Sequence, residues 1–332
     1  MPNSLRSVGI AGLGVAAGED ILTNNDLEKI VETSDEWIKE RTGISQRHIA
    51  RPETATSDLA YQAAVEALAE AGVNGADLDL IIVATVTPDT IFPATACLLQ
   101  ARLGATRAAA FDLSVGCTGF LYALSVGSQL VASGADETVL VVGADTLSRI
   151  TDYTDRGTCI LFGDGAGAAV LKPVGKGEGI LSTVLGADGS GSDLLILPAG
   201  GSRLPANPKT IEERLHFIKM NGNEVFRFAV KAVGEAADAA IAKAGLTRSE
   251  VDFFVPHQAN RRIIDAAARR LGLPEDKVII NIADYGNMSA ASIPTALHEA
   301  VRESRIKRGD VVVLVAFGAG LTWAAAALRW SL

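Results

Sequence analysis

The sequence carries the stretch ALAEAG at residues 67–72, followed by Asp79 and the apolar run LIIV at residues 80–83. An alanine-rich segment that ends on glycine is typical of a helix with a glycine C-cap, and the run after it is typical of a buried strand. The pattern recurs as IAKAG at residues 241–245, followed by Asp252 and FFV. Seven positions separate the glycine from the aspartate in both copies, so we predict two similar halves.

The same alternation of strands and helices continues along the chain. Strand-like runs at 80–87, 138–143, 251–255 and 311–317 alternate with helical stretches at 57–71, 119–133, 224–244 and 259–271. Such alternation predicts an α/β fold with helices on both faces of much of the sheet. A second pair of similar segments is FGDGAGAA at 162–169 and FGAG at 317–320. Both are typical of a strand that turns into another strand. We predict a first half at 1–175 and a second at 176–332, with the active site at their junction.

The composition favours a folded protein that binds neither nucleic acid nor membrane. Hydrophobic residues make up 48% and charged residues 21% of the chain, which argues against disorder. The net charge is 30 − 39 = −9, whereas phosphate backbones require concentrated positive charge. Residues 311–328 carry no charge, but Gly318 and Gly320 interrupt them. We therefore predict two buried strands around a tight turn rather than a membrane span.

The cysteines indicate a reducing compartment. Cys97, Cys117 and Cys159 cannot all pair within the chain, and no Cys-x-x-Cys spacing is present, so we expect neither a disulfide framework nor a bound metal. No signal peptide is visible over the first ten residues, and we expect a cytoplasmic location. We interpret Cys97 and Cys159 as small buried core residues.

Cys117 is different because it lies in SVGCTGF at 114–120, between a strand-like run at 108–113 and a helical stretch. A thiol near a helix N-terminus meets free N–H groups and the positive end of the helix dipole, which lower its pKa and favour the nucleophilic thiolate. The alternative is again a core cysteine.

His257 and Asn287 follow strand-like runs in the same way. His257 lies in VPHQAN at 255–260, and Asn287 lies in YGNMSAAS at 285–292 after the run at 278–282. A lone histidine is more often structural, and an asparagine after glycine is usually a turn residue. Together, the three side chains suit thioester chemistry: a thiolate accepts an acyl group, and neutral N–H donors stabilise an enolate oxygen.

Two glycine-rich segments could be mistaken for nucleotide sites. GLGVAA at 12–17 matches a relaxed dinucleotide fingerprint, but a loop rather than a helix start follows it. We interpret neither this segment nor the 163–167 run as a nucleotide site.

As a set, the segments around Cys117, His257 and Asn287 resemble those of β-ketoacyl-acyl carrier protein synthase III, and the resemblance extends over nearly the full chain. The resemblance also includes DEWI at 35–38, RTGI at 41–44, FGDGA at 162–166, MNG at 220–222 and the 317–323 segment. It implies a thiolase-like fold with five αβαβα layers and a homodimer, and no cofactor beyond the substrate coenzyme A (CoA). An acyl-CoA primer, typically acetyl-CoA, would acylate Cys117. Malonyl-acyl carrier protein would then lose carbon dioxide, with His257 and Asn287 stabilising the enolate, and would condense with the acyl group.

The resemblance also implies binding roles for individual residues. The backbone N–H groups of Cys117 and Ala319 would form an oxyanion hole. Trp37, Arg41, Arg156 and Asn260 would bind CoA and its pantetheine arm, and Phe92 would line the partner subunit's acyl pocket. Arg262, Arg269 and Arg270, at spacings that put them on one helix face, would dock the acidic carrier protein; a solvated basic face is the alternative.

The chain departs from the family pattern at Gly116, Thr118 and Ala319, the last standing where glycine is usual. If that position needs a positive φ, alanine is unfavourable there. Three alternatives stay open: a related condensing enzyme of secondary metabolism with another starter or acceptor, a cysteine thioester hydrolase, and a non-catalytic carrier-binding subunit.

Overall fold

The computed structural model describes residues 5–332. In chain order its strands are β1 (Val8–Ala17), β2 (Asp20–Thr23), β3 (Gln46–Ile49), β4 (Leu80–Ala84), β5 (Ala109–Leu113), β6 (Val139–Thr146), β7 (Asp164–Pro173), β8 (Gly179–Ala187), β9 (Leu195–Ile196), β10 (Lys219–Met220), β11 (Phe253–Pro256), β12 (Val311–Gly318) and β13 (Thr322–Arg329). The α-helices are α1 (Asn24–Leu27), α2 (Asp35–Thr42), α3 (Thr56–Ala71), α4 (Thr95–Arg102), α5 (Gly119–Ser133), α6 (Pro208–Glu212), α7 (Gly222–Lys243), α8 (Arg261–Leu271), α9 (Ile282–Tyr285) and α10 (Ser292–Arg302).

Two mixed sheets organise the molecule. The first has the order β1-β7-β6-β4-β5, with β4 parallel to both β5 and β6, and the second has the order β11-β12-β13-β8. The first sheet takes its strands from residues 8–173 and the second from residues 179–329. The two sets of strands divide between residues 173 and 179, and the division of the chain into halves at 175 and 176 stays a prediction.

Three large apolar clusters show how the sheets are layered. One cluster holds residues of α5 and α10 together with the inner faces of both sheets. A second packs α7 and α8 against the outer face of the second sheet, and a third packs α3 and α4 against the outer face of the first. The order is therefore helix, sheet, helix, sheet, helix, which is the five-layered thiolase-like fold predicted from the sequence.

Most of the predicted elements are confirmed. The helix and strand of each repeated pattern are present, with glycine in the left-handed region just after α3 and α7 at Gly72 and Gly245. The uncharged 311–328 segment forms β12, a tight turn and β13. No helix within residues 5–332 has the length and apolar character needed to cross a membrane.

Three expectations are wrong. Residues 278–282 form no regular strand: Val278 makes one bridge to Phe254, and the Gln258 side chain, which bonds the Ile279 carbonyl and the Asn281 N–H, replaces the rest of the ladder. Residues 164–169 lie within β7 rather than in a turn. Cys97 is exposed, because it lies on the solvent side of the short helix α4, whereas Cys159 is buried as predicted.

The first glycine-rich segment has a packing role. Gly12 and Gly14 lie within β1, where α3 crosses closely. A Cβ atom on Gly14 would lie 2.1 Å from the Ala63 carbonyl oxygen, well inside contact distance. These glycines therefore permit a close helix-on-sheet approach.

Candidate active site

Cys117 lies at a strand-to-helix turn, as the sequence predicts. After β5 ends at Leu113, the chain turns through Gly116, whose φ of +57° suits glycine, into a 3₁₀ turn and then α5. The Thr118 hydroxyl donates to the Val115 carbonyl oxygen at 2.8 Å and fixes this turn. The thiol is therefore held beside the N-terminus of a 15-residue helix.

The turn between β12 and β13 packs directly onto the Cys117 turn. A Cβ on Gly318 would lie 3.0 Å from the Cys117 nitrogen and 3.1 Å from its Cβ. The Thr322 and Thr118 hydroxyl oxygens are 2.9 Å apart, and the Thr322 hydroxyl donates to the Ala319 carbonyl oxygen at 2.9 Å. The second half thus fixes the position of the first half's cysteine.

Ala319 does not have the positive φ that would be unfavourable for an alanine at this position. The positive φ in this turn falls on Gly320, at +133°. Outside the regular helices and strands of residues 5–332, no backbone carbonyl accepts a hydrogen bond from the N–H of Cys117 or of Ala319. Both groups are placed at the same turn contact, where two N–H donors could hold one oxygen.

His257 follows β11, and a backbone hydrogen bond and an aromatic contact fix its position. Its N–H donates to the Val315 carbonyl oxygen of β12 at 2.7 Å, and its ring meets Phe317 edge-on with centroids 5.7 Å apart. The residue is 2% exposed, and neither ring nitrogen has a hydrogen-bond partner in the part of the chain that the structure describes. Burial lowers the pKa of His257 to about 3, so the imidazole is neutral at physiological pH and retains one N–H to donate.

Asn287 is held by the first half of the chain. Its N–H donates to the Leu161 carbonyl oxygen at 2.9 Å, and its carbonyl oxygen accepts from the Gly163 N–H at 3.0 Å. Its side-chain oxygen accepts from the Ser289 N–H at 2.9 Å. This bond assigns the amide orientation and leaves the NH₂ group as the donor toward the cavity.

The structure brings Cys117, His257 and Asn287 together in one cavity of about 100 Å³. Cys117 also borders a second cavity of about 180 Å³, whose walls are almost entirely apolar. The side chains that line this second cavity include Val86, Leu147, Ile150, Phe162, Leu195, Ile196, Leu197 and Ile218. The thiol therefore lies between the cavity that holds His257 and Asn287 and a second cavity that is almost entirely apolar.

The expected lowering of the Cys117 pKa is wrong. Burial raises the pKa of the thiol to about 12, and the nearby Asp145 carboxyl adds to the rise, while a hydrogen bond from Ser289 opposes it. A helix terminus contributes roughly 0.3–1 kcal/mol, less than one pKa unit, so it does not outweigh this desolvation. The resting cysteine is a neutral thiol that must give up its proton when it reacts.

Sequence reasoning missed Ser289 and Asp145. Ser289 borders the apolar cavity beside Cys117 and has a φ of +49°, which is rare for a residue other than glycine. Asp145, at the end of β6, is fully buried. An aspartate within an otherwise apolar strand is the one signal in the sequence that could have identified the second of these.

Three of the residues predicted to bind CoA form a single surface cluster. The Arg41 and Arg156 guanidinium carbons lie 5.4 Å and 4.5 Å from the centroid of the Trp37 ring. Asn260 caps α8 by accepting from the Arg262 N–H and donates to the Arg41 carbonyl oxygen at 2.9 Å, so it ties this cluster to the cavity that it also lines.

The remaining predicted residues lie away from the cavity of their own chain. Phe92 is 84% exposed and borders neither cavity. Arg262, Arg269 and Arg270 are all exposed on α8. Arg262 lies over the Phe226 ring at 5.6 Å and Arg270 packs against Gly234, both on α7, whereas Arg269 borders a separate shallow groove.

Comparisons with known proteins agree with this geometry. The family described as 3-oxoacyl-[acyl-carrier-protein (ACP)] synthase III matches residues 111–189, and its C-terminal part matches residues 241–330. The chain is 57% identical to a β-ketoacyl-[acyl-carrier-protein] synthase III of Symbiobacterium thermophilum, over 98% of this chain and 99% of that one.

Solved structures give the same result. The crystal structure of 3-oxoacyl-[acyl-carrier-protein] synthase III from Aquifex aeolicus VF5 aligns with a TM-score of 0.90 at 48% identity, covering 98% of this chain and 100% of that one. The priming β-ketosynthase from the R1128 polyketide biosynthetic pathway aligns with a TM-score of 0.91 at 37% identity, covering 99% and 97%. The chain therefore belongs to the β-ketoacyl-[acyl-carrier-protein] synthase III family of condensing enzymes.

Proposed function

We propose that this chain condenses an acyl-CoA primer with malonyl-acyl carrier protein, with loss of carbon dioxide, and so initiates fatty-acid synthesis. One observation carries the proposal: a thiol and two neutral side-chain donors, on His257 and Asn287, line a single cavity. The 57% identity to a synthase III over nearly the full chain supports the same reaction.

Acylation uses the Cys117 turn. The Cys117 sulfur attacks the thioester carbonyl, the oxygen takes the negative charge, and the N–H groups of Cys117 and Ala319 bind that oxygen. The bond to the CoA sulfur then breaks, leaving the acyl group on Cys117. The apolar cavity of about 180 Å³ next to the thiol accommodates the acyl chain.

Condensation uses the two donors of the second half. When the malonyl thioester loses carbon dioxide, its electron pair moves toward the thioester oxygen, where the His257 ring N–H and the Asn287 amide stabilise it. The resulting carbon nucleophile attacks the acyl-cysteine carbonyl, and the Cys117 sulfur leaves. Because His257 is neutral, it favours a transient enolate without tightly binding the charged malonyl carboxylate.

The binding partners are proposed on separate evidence. Trp37, Arg41 and Arg156 present an aromatic face and two guanidinium groups, which suit an adenine ring and phosphates. The exposed arginines of α8 suit an acidic carrier protein. A cytoplasmic location stays a prediction, which the lack of paired cysteines supports.

We propose a homodimer because the first sheet has an exposed apolar edge. Strand β5 is its edge, and Phe111 on that strand is 38% exposed, with exposed Ile91 and Phe92 on a neighbouring loop. An apolar, unpaired edge strand favours pairing with a second copy. If Phe111→Lys leaves the mass in solution equal to that of the unchanged chain, β5 is not the dimer contact.

The test of the reaction is intact-protein mass spectrometry after incubation with a panel of acyl-CoA thioesters. We expect an adduct that maps to Cys117, and carbon dioxide release with a β-ketoacyl product once malonyl-acyl carrier protein is added. Thioester hydrolysis without carbon–carbon bond formation would support the hydrolase instead.

A second candidate is a condensing enzyme with a starter larger than acetyl. An apolar cavity of about 180 Å³ exceeds what an acetyl group fills, and engineered cavities of about 150 Å³ bind benzene. The likeness to a priming β-ketosynthase of polyketide synthesis points the same way. The mass of the preferred adduct in the panel distinguishes the two.

A further inference from the structure

Arg47, on β3, is a completely buried arginine, and the proposed reaction leaves it without a role. Its side chain is 0% exposed, and its hydrogen bonds within residues 5–332 all go to uncharged oxygens. Its Nε has no hydrogen-bond partner in the part of the chain that the structure describes. Burying a guanidinium group without a carboxylate partner is unfavourable, so we looked for what its donors hold in place.

The guanidinium group joins three segments of the chain. Nη2 donates to the Ile160 carbonyl oxygen at 2.7 Å. Nη1 donates to the Leu22 carbonyl oxygen of β2 at 3.1 Å and to the Asn24 side-chain oxygen of α1 at 2.9 Å. The rigid fork of N–H donors on an arginine suits acceptors that lie in different directions, whereas a lysine ammonium group would reach fewer of them.

Ile160 begins the short segment that holds Asn287. The next carbonyl oxygen, that of Leu161, accepts from the Asn287 N–H at 2.9 Å. The Gly163 N–H donates to the Asn287 carbonyl oxygen at 3.0 Å. The bond from Arg47 is therefore made one residue before the bonds that fix the position of Asn287.

The Cβ atom of Arg47 packs against both chains of this contact. A Cβ on Gly163 would lie 3.3 Å from the Arg47 Cβ, and a Cβ on Gly286 would lie 3.1 Å from it. Gly286 directly precedes Asn287 in the chain. Arg47 thus contacts the Asn287 turn and also the segment to which that turn is bonded.

The contacts of Arg47 do not extend to the nucleophile. Among the described residues, none of its hydrogen bonds reaches the Cys117 turn. Its partner Asn24 also donates to Asp35 in the first turn of α2, at 2.9 Å, and this bond does not depend on the guanidinium group. A change at Arg47 is therefore expected to affect Asn287 rather than the thiol or the proposed CoA cluster.

We propose that Arg47 is a positioning residue for decarboxylation, because its guanidinium group anchors the segment that holds the Asn287 amide at the cavity. It acts through Asn287 and not on the substrate. An uncharged side chain of similar length would leave the buried Ile160 carbonyl without this donor, and the segment and the amide bonded to it would shift. The inference rests on the proposed role of Asn287 in stabilising the enolate.

Arg47→Met tests this inference, because it keeps the Cβ contacts and removes the donors. Decarboxylation is measured as carbon dioxide release from malonyl-acyl carrier protein without a primer, and acylation by single-turnover mass spectrometry with acetyl-CoA. Displacements of about 1 Å can lower rates up to about 100-fold, so we expect kcat for decarboxylation to fall about 10-fold. The rate of acylation should not change.

The same substitution in an Asn287→Ala background shows whether Arg47 acts through Asn287. There Arg47→Met should lower decarboxylation by less than about 2-fold, because the effects of residues that act through one another do not add. A purely structural role would lower the rate by the same factor in both backgrounds. Arg47→Lys, which keeps the charge and fewer donors, should give a rate between those of the unchanged chain and Arg47→Met.

Arg6→Met is the matched control. Arg6 is a partly buried arginine that also donates to backbone carbonyl oxygens, from Nε to Val131 at 3.0 Å and from Nη2 to Asp136 at 2.9 Å. These acceptors lie at and beyond the C-terminal end of α5, whereas Cys117 lies before its N-terminus. This control should lower thermal stability and leave both half-reactions unchanged.

The proposal is overturned if Arg47→Met decarboxylates at the rate of the unchanged chain, if it slows both half-reactions alike, or if its effect is the same with and without the Asn287 side chain. If Arg47→Met does not fold, Arg47→Lys in the same two backgrounds decides. An unchanged chain that releases no carbon dioxide, or an Asn287→Ala variant that releases it at the full rate, would instead overturn the proposed function.

Discussion

The two halves of the molecule have corresponding arrangements of strands, and the proposed reaction gives each half a different chemical task. In the first sheet the strands follow the order β1-β7-β6-β4-β5, and in the second the order β8-β13-β12-β11 corresponds to the first four. The single bridge of Val278 to Phe254 marks where a strand corresponding to β5 would lie. Cys117 lies within the 3₁₀ turn that follows β5, and Asn287 lies two residues before the corresponding 3₁₀ turn of the second half. Each turn leads into a helix of the middle layer.

The two turns differ in the structure that precedes them and in the contacts that hold them. A regular strand leads to the turn of Cys117, which places a thiol next to the start of the long helix α5. The corresponding strand of the second half is not formed, and the turn there is bonded instead to Leu161 and Gly163 of the first half. In the proposed reaction the first half thus presents the reactive atom and the second half supplies two donors, of which Asn287 is held by contacts with the first half.

The largest expected effect comes from removing the nucleophile. Cys117→Ala should lower condensation by about 10⁴-fold or more, because loss of a nucleophile removes the covalent path. Decarboxylation of malonyl thioester should continue, since its donors are in the other half. Carbon dioxide release and product formation, measured together, check this. Cys97→Ala, at an exposed site, is the control, and loss of both reactions in Cys117→Ala would contradict the division of tasks.

The reciprocal change removes a donor from the second half. Asn287→Ala should slow decarboxylation by about 10²–10³-fold, the usual loss for one oxyanion donor. The acyl adduct on Cys117 should still form, as measured by intact mass. A variant that no longer acylates would show that Asn287 is not limited to the second step.

A third change tests the contact between the halves. Gly318→Ala places a methyl group 3.0 Å from the Cys117 nitrogen, so the thiol turn must shift. Displacements of about 1 Å can lower rates up to about 100-fold, and we expect acylation to slow by about 10-fold. Gly189→Ala is the control because its added Cβ would meet no atom within 4 Å. Equal rates in both variants would show that the turn tolerates the shift.

A smaller effect is expected at the proposed CoA cluster. Arg156→Ala removes the nearer of the two guanidinium groups over Trp37, and a cation–π contact contributes about 0.5–2 kcal/mol, so KM for acyl-CoA should rise about 3- to 10-fold. The value of kcat should not change. Arg107→Ala, an exposed arginine paired only with Asp79 at 3.4 Å, serves as control. A fall in kcat without a change in KM would exclude a pure binding role.

The smallest expected effect concerns pH. Because burial lowers the pKa of His257 to about 3, the imidazole stays neutral as pH rises from 5 to 8, and its N–H is available throughout. The decarboxylation rate of the Cys117→Ala variant should therefore be flat across this range. A rate that falls below pH 6.5 with the profile of an ordinary histidine would show that the ring is protonated there.

The fold and the positions of Cys117, His257 and Asn287 could be predicted from local sequence patterns. The electrostatics around these three side chains could not. The repeated glycine-to-aspartate spacing and the strand-to-helix turns at Cys117 and His257 can be read from neighbouring residues. The raised pKa of Cys117 could not be, because it comes from burial and from Asp145, which is distant in sequence. Ser289 was missed for the same reason: its backbone angle and its position near Asp145 exist only in the folded chain.

The interior position of β13 in the second sheet has a consequence for the chain while the ribosome is synthesising it. This strand lies between β12 and β8, so the second sheet stays open until translation has passed residue 329. The hydroxyl contact from Thr322 to Thr118 spans 204 positions, which takes roughly 10–40 s at about 5–20 residues per second. Until then Gly318 and Ala319 are not in place beside the thiol. A ribosome-bound chain therefore carries Cys117 without the proposed oxyanion hole, and we expect acyl transfer only when the protein is nearly complete.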